Sequence, residues 1–131
     1  MIKNYCLNTL KDIQIDIKKP SIIFLYWDLG SGKTTLSQIL IKKILSKDYQ
    51  VTSPTYVYYN KYEDMYHFDL YRLWDYEEFV TIWWEEILDN NEWVIIIEWP
   101  ELVEKYFKAD IEIRIWKTND EDIRSVDIIY N

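Results

Sequence analysis

SIIFLYWDLGSGKTTLSQILIKKILSK, residues 21–47, is the stretch whose reading decides the fold. Its first seven residues form a short β-branched and aromatic run, the composition of a buried strand. Beyond it, Leu36, Ile39, Leu40, Ile44 and Leu45 recur at close to helical spacing, so residues 34–47 read as an amphipathic helix. Between strand and helix stands G-x-G-K-T, from Gly30 to Thr34. A loop of this kind binds phosphate because its backbone N–H groups curl around the anion, its glycines permit close approach, and the next helix adds its positive end. The chain has only two glycines, and both fall here. Asp28, Leu29, Gly30, Ser31, Gly32, Lys33, Thr34 and Thr35 are therefore the expected nucleotide-binding residues. Lys33 is expected to reach the β- and γ-phosphates, and the Thr34 hydroxyl to ligate magnesium.

Composition bounds what such a site can serve. A chain of 131 residues, 49% of them hydrophobic, is long enough for one compact domain and too short for two ordinary ones. Residues 1–131 are read as a single domain. The net charge of −8 argues against direct strong nucleic acid binding, which is driven by Lys and Arg neutralising phosphates. A nucleic acid partner would be reached through another protein. Cys6 is the only cysteine, which rules out an internal disulfide and fits a reducing compartment. The longest apolar runs, IIFLYW and WVIII, fall far short of the roughly twenty residues that cross a bilayer. MIKNYCLNTLKD lacks the apolar centre of a signal peptide, so no membrane association and a cytoplasmic location are expected.

No repeat, low-complexity tract or linker interrupts the chain. After the helix, YQVTS reads as a strand, and TYVYYNKYE with DMYHFDL as a hairpin turning near Glu63 and Asp64. A helical stretch is expected around YEEFVTIWWEEIL. WVIIIEW is a second fully buried strand, and IEIRIW and SVDIIY alternate as strands with one exposed face. Early βαβ order followed by antiparallel strands predicts an α/β fold: a P-loop NTPase-like mixed sheet, mainly parallel, flanked by helices, with antiparallel strands.

A magnesium nucleotide site also wants a carboxylate at the C-terminal end of a neighbouring buried strand, to hold the metal or its water. Glu98, closing WVIIIEW, and Asp69, closing YHFDL, are the candidates. His67 lies two residues before Asp69 and shares its face if that segment is a strand. A lone histidine is more often packed or hydrogen-bonded than directly functional. The usual GTPase switch is excluded, because it needs a D-x-x-G and no glycine follows Gly32. NKYED, residues 60–64, departs from the guanine-reading N-K-x-D and reads as a turn. A small-molecule kinase would want an arginine-rich lid, yet the only arginines are Arg72, Arg114 and Arg124.

The order DLGSGKTTL, VTSPTYVYYNKY, YHFDLYRL, IIIEWPE resembles the bacterial ATPases of tRNA threonylcarbamoyladenosine biosynthesis, the TsaE or YjeE family. The pattern G-D-L-G-A-G-K-T, S-P-T-[FY], H-x-D-x-Y-R, E-W-x-E is met at the residues from Asp28 to Thr34 that it specifies, and at Ser53, Pro54, Thr55, Tyr56, His67, Asp69, Tyr71, Arg72, Glu98, Trp99 and Glu101. The resemblance spans about residues 20–105. It implies ATP and Mg2+ as cofactors, and as partners the protein subunits of the complex that attaches threonylcarbamoyl beside the anticodon. It also implies that Glu98 serves the metal, and that the S-P-T segment and Asp69 act as switch and catalytic elements.

Trp27 departs from the pattern, standing where the family has its first glycine. That glycine mainly lets the chain leave the strand unobstructed, whereas the phosphate-facing amides come later. Two outcomes stay open: an ATPase with an unusual loop entrance, or a degenerate nucleotide-binding subunit that serves its complex by interaction. A small-substrate phosphotransferase is a third.

Overall fold

The computed structural model describes residues 2–27, 38–40, 42–43, 59–62, 65–70, 77, 94–106 and 108–131. Among the described residues seven strands form one sheet: β1 (Ile2–Cys6), β2 (Ser21–Trp27), β3 (Tyr59–Tyr62), β4 (Met65–Asp69), β5 (Val94–Glu98), β6 (Ile111–Lys117) and β7 (Ile123–Tyr130). Their spatial order is β1-β7-β6-β2-β5-β4-β3. The four middle strands, β6, β2, β5 and β4, run parallel to one another. Antiparallel pairs close both flanks, β3 on β4 at one side and β6-β7-β1 at the other. This is the mixed α/β sheet expected from the sequence, parallel at its centre and antiparallel at its margins.

The two innermost strands, β2 and β5, have apolar residues on both faces. Parallel strands are covered on both sides and so read as continuous hydrophobic runs. In β5 all five residues are buried, and in β2 every residue from Ile23 to Leu25 is. The register then sorts alternate side chains into two layers. On one face Ile23 lies between Ile96 and Ile111, and Leu25 is level with Ile113. These residues share a core with Met65, Val94 and Ile115, covered by Leu10, Ile13 and Leu40. On the other face Phe24, Phe68, Leu70, Ile95 and Ile97 pack with Val103 and Ala109. Burying each such aliphatic or aromatic side chain contributes roughly 1.5–3 kcal/mol, so a charge introduced on either face of β2 or β5 would unseat a full layer.

Residues 38–40 and 42–43 are helical, with Leu40 fully buried and Ile39 packed against the same core, as their spacing predicts. The two arms of the expected hairpin pair: β3 and β4 run antiparallel with Tyr62 opposite Met65, while the turn read near Glu63 and Asp64 lies outside the described residues. The strand read at YQVTS lies outside the described residues. So does the helical stretch around YEEFVTIWWEEIL, apart from Glu77, which is helical.

Two N-terminal elements carry no periodic signal in the sequence. Strand β1 is an edge strand with four of its five residues exposed, so no burial alternation marks it. Its place is set by pairing with β7 and by Ser125, whose hydroxyl donates to Asn4 Oδ1 at 2.6 Å. The 3-10 turn Leu7–Asp12 follows, with the Thr9 hydroxyl donating to the Cys6 carbonyl at 3.0 Å. It delivers Leu10 and Ile13 to the core. Among the described residues no helix is long and apolar enough to cross a membrane.

Candidate functional site

Because β2, β4, β5 and β6 are parallel, their C-terminal ends open on one edge of the sheet. The chain passes from β2 to β4, returns to β5 between them, and then crosses to β6 on the opposite flank. Such a reversal of strand order leaves a crevice at the carboxyl ends, where α/β sheets bind ligands. Trp27 ends β2 there, and the G-x-G-K-T stretch begins three residues later.

The two carboxylates picked out from the sequence meet at this edge. Asp69 ends β4 and Glu98 ends β5, and the two are paired in register, with Leu25 of β2 level with Glu98 on its other side. Their Cα atoms share a rung of adjacent strands, about 4.8 Å apart in such a sheet. Glu98 is fully buried and Asp69 only 9% exposed. Full burial of an acidic side chain is rare unless the group is satisfied by partners. One partner is His67, whose Nε2 lies 2.7 Å from Glu98 Oε2. His67 is opposite Ile96, so it shares a face with Glu98 two rungs behind it. The carboxylate accepts and Nε2 donates. His67 Nδ1 is buried and meets no hydrogen-bonding group among the described residues.

Paired carboxylates are hard oxygen donors and suit magnesium, which is usually held by one or two protein carboxylates together with waters and phosphate oxygens. Among the described residues no group of three or more His, Cys, Asp or Glu side chains could hold a metal by itself.

Trp99, next after Glu98, has φ 57° and ψ 58°, the left-handed region that bulky residues seldom occupy. Such a conformation costs on the order of 1–2 kcal/mol and is held by its surroundings. Here Pro100 opens the 3-10 turn Pro100–Leu102, while the Trp99 indole packs edge-on to Trp27, ring centroids 5.1 Å apart and planes at 63°. The residue that replaces the loop's first glycine thus makes a T-shaped aromatic pair with the residue beside Glu98. Trp27 also packs against the core formed by Ile115 and its neighbours.

Beyond this pair a cavity of about 550 Å³ opens at the ends of β2 and β6, lined among the described residues by Tyr26, Trp27, Trp99, Glu101, Arg114, Ile115 and Trp116. The Arg114 guanidinium lies 4.0 Å from the Tyr26 ring centroid. The Tyr26 hydroxyl donates to Glu104 Oε2 at 2.6 Å. Burial, and then the Glu104 carboxylate, push the Tyr26 phenol well above its ordinary range, so it remains a donor at any physiological pH. Sequence reasoning missed Tyr26 and Arg114, because each gains its meaning from the β2–β6 register that pairs them.

Asp28, Leu29, Gly30, Ser31, Gly32, Lys33, Thr34 and Thr35 lie outside the described residues, as do Ser53, Pro54, Thr55, Tyr56, Tyr71 and Arg72. Of the expected site, Asp69, Glu98 and His67 are brought together, with Trp27 and Trp99 alongside.

The position of Trp27 supports a prediction. Trp27→Gly is expected to tighten ATP binding by removing a bulky residue from the loop's entrance. Loss of the contacts with Trp99 and the core should destabilise the fold by roughly 3 kcal/mol or somewhat less, since the ring is only part-buried. Calorimetric titration with magnesium ATP and a thermal melt of each protein check this. Weaker binding by a folded glycine variant would mean that the indole supports the nucleotide.

Residues 4–126 match the family described as Threonylcarbamoyl adenosine biosynthesis protein TsaE. The protein named tRNA threonylcarbamoyladenosine biosynthesis protein TsaE from Rickettsia felis is 34% identical over 120 residues, 88% of this chain and 68% of that protein. Its namesake from Haemophilus influenzae is 33% identical over 122 residues, 89% of this chain and 75% of that protein. Against the Rickettsia typhi protein the matched part is shorter, 67% of this chain and 62% of the relative's length at 35% identity. Among solved structures, that of Bacillus subtilis YdiB superposes with a TM-score of 0.58 at 22% identity, covering 96% of this chain and 84% of that one, which establishes a common fold. A P-loop NTPase-type sheet, acidic residues at its C-terminal edge and a match over residues 4–126 together make this chain a member of the TsaE family.

Proposed function

We propose that the chain is a magnesium-dependent ATPase subunit of the complex that forms threonylcarbamoyladenosine next to the tRNA anticodon. The observation that carries this is the placement of Asp69 and Glu98 on one rung at the C-terminal edge, beside the strand that leads into G-x-G-K-T. In this reading Lys33 and the amides from Asp28 to Thr35 bind the phosphates of ATP. Thr34 and Glu98 hold Mg2+, which when bound neutralises phosphate charge and polarises the transferring group. Asp69 orients the attacking water, and residues 1–131 act as one domain. The 2.7 Å contact with His67 holds the Glu98 carboxylate at the edge.

The partners in this reading are the protein subunits of the transfer complex, in the cytoplasm. With a net charge of −8 the chain leaves the grip on tRNA to those subunits. ATP hydrolysis and threonylcarbamoyladenosine formation, each measured with the chain alone and with the cognate subunits, test the reading. Hydrolysis that rises with the subunits, and modification that needs both chain and ATP, are expected. Modification that proceeds equally well without the chain would contradict it.

A second reading, an interaction subunit with a degenerate nucleotide site, is favoured by one observation: Trp27 packs at the loop's entrance against Trp99. It predicts that modification still requires the chain but tolerates loss of Lys33.

A further inference from the structure

We propose that His67 is a positioning residue for the hydrolytic site, holding the Glu98 carboxylate in the orientation that serves the metal; the inference rests on Glu98 being the metal-serving acid. A glutamate has three rotatable side-chain bonds, so a strand-end glutamate does not by itself hold its carboxylate in one place. Here the side chain is fully buried and its Oε2 accepts from His67 Nε2 at 2.7 Å, the short end of the range for N–H donors on a carboxylate.

The donor is itself fixed. His67 is 2% exposed and stands in the middle of β4, opposite Ile96 and two rungs behind Glu98 on the same face. Met65, two residues earlier on that face, and Ile96 belong to the core layer beneath it. A rigid ring on a central strand is thus aimed along the face at the strand-end acid. The cost of placing it is visible: Nδ1 is buried with no hydrogen-bonding group among the described residues. A histidine kept only for packing could be replaced by an apolar side chain without that cost. Groups that orient a metal-serving side chain through a hydrogen bond typically change metal affinity or activity 10–100-fold when removed.

Three substitutions separate positioning from packing. In His67→Gln the amide nitrogen is as many bonds from Cβ as Nε2 and can still donate to Glu98. In His67→Asn the amide stops one bond short, and His67→Leu fills the space with no donor. The binding readout is the gain in ADP affinity on adding magnesium chloride, measured by calorimetry without turnover. It is paired with kcat and KM for ATP and with a thermal melt. Leu and Asn are expected to cut the magnesium-dependent gain by about three- to tenfold and kcat by about tenfold or more while leaving metal-free ADP affinity within about twofold, and Gln to restore most of both. In a Glu98→Gln background, His67→Leu should add less than about twofold, because the histidine acts through that carboxylate.

Equal losses from His67→Leu in the wild-type and Glu98→Gln backgrounds would overturn the positioning role, as would a folded Gln variant no better than Asn. An unchanged magnesium-dependent gain in Glu98→Gln alone would overturn the assignment of Glu98 to the metal, and the role of His67 with it. If the Leu variant melts below the assay temperature, the comparison of Gln with Asn carries the test.

Discussion

Lys33→Ala is expected to abolish ATP binding, with no saturation up to millimolar nucleotide, while the melting temperature stays within a few degrees of wild type. A lysine in a phosphate-binding loop supplies a charge-assisted hydrogen bond to the β- and γ-phosphates. One such bond is worth about 1.5–3 kcal/mol, or roughly 10- to 150-fold in affinity, before loss of long-range attraction is added. In a chain of net charge −8 that loss matters, because the remaining field repels a polyanion. The fold should survive, because the two core layers on either face of the sheet are built from other residues. Calorimetric titration with magnesium ATP checks the binding, and circular dichroism with a melt checks the fold. Unchanged ATP affinity would remove the phosphate-loop reading.

Glu98→Gln is expected to keep ATP affinity within about tenfold and to lower hydrolysis by two orders of magnitude or more. The amide is nearly isosteric, and its carbonyl oxygen can still accept from His67 Nε2, so the buried pair at 2.7 Å keeps its geometry. What it loses is the negative charge that holds magnesium and its water. Removing a single electrostatic group that serves the transition state typically costs 10²–10³ in kcat. Single-turnover hydrolysis beside an ATP titration separates binding from chemistry. A rate equal to wild type would take Glu98 out of the site. If Glu98 orients a water only and holds no metal, the rate still falls but its dependence on magnesium concentration stays as in wild type.

The centre of this fold was legible because its signals are local. The run SIIFLYW corresponds to β2 residue for residue, and VIIIE, buried throughout, is β5. Apart from Ser21 and Glu98 at their ends, both are apolar at every position because a parallel central strand is covered twice. Asp69 and Glu98 were legible as strand-ending acids, and their meeting followed once both strands lay parallel and in register. The margins were not legible. Edge strand β1 has exposed side chains on both faces and is set by pairing with β7, more than a hundred residues away, which no local pattern encodes. His67 stood out only as a lone histidine two residues before Asp69. Its 2.7 Å contact with Glu98, 31 residues on, depends on β4 and β5 being neighbours. Likewise the left-handed backbone of Trp99 and its packing on Trp27 join the ends of two strands, so a substitution that looked like a defect in the loop becomes one half of an aromatic pair.

The proposed roles of Lys33, Thr34, Asp69, Glu98 and His67 all require that this edge of the sheet bind magnesium ATP. Titrating the wild-type chain with ATP by calorimetry, with and without magnesium chloride, tests that most directly. The account predicts saturable binding at one site per chain, strengthened by magnesium. A folded chain that shows no saturable heat with ATP in either condition would contradict it.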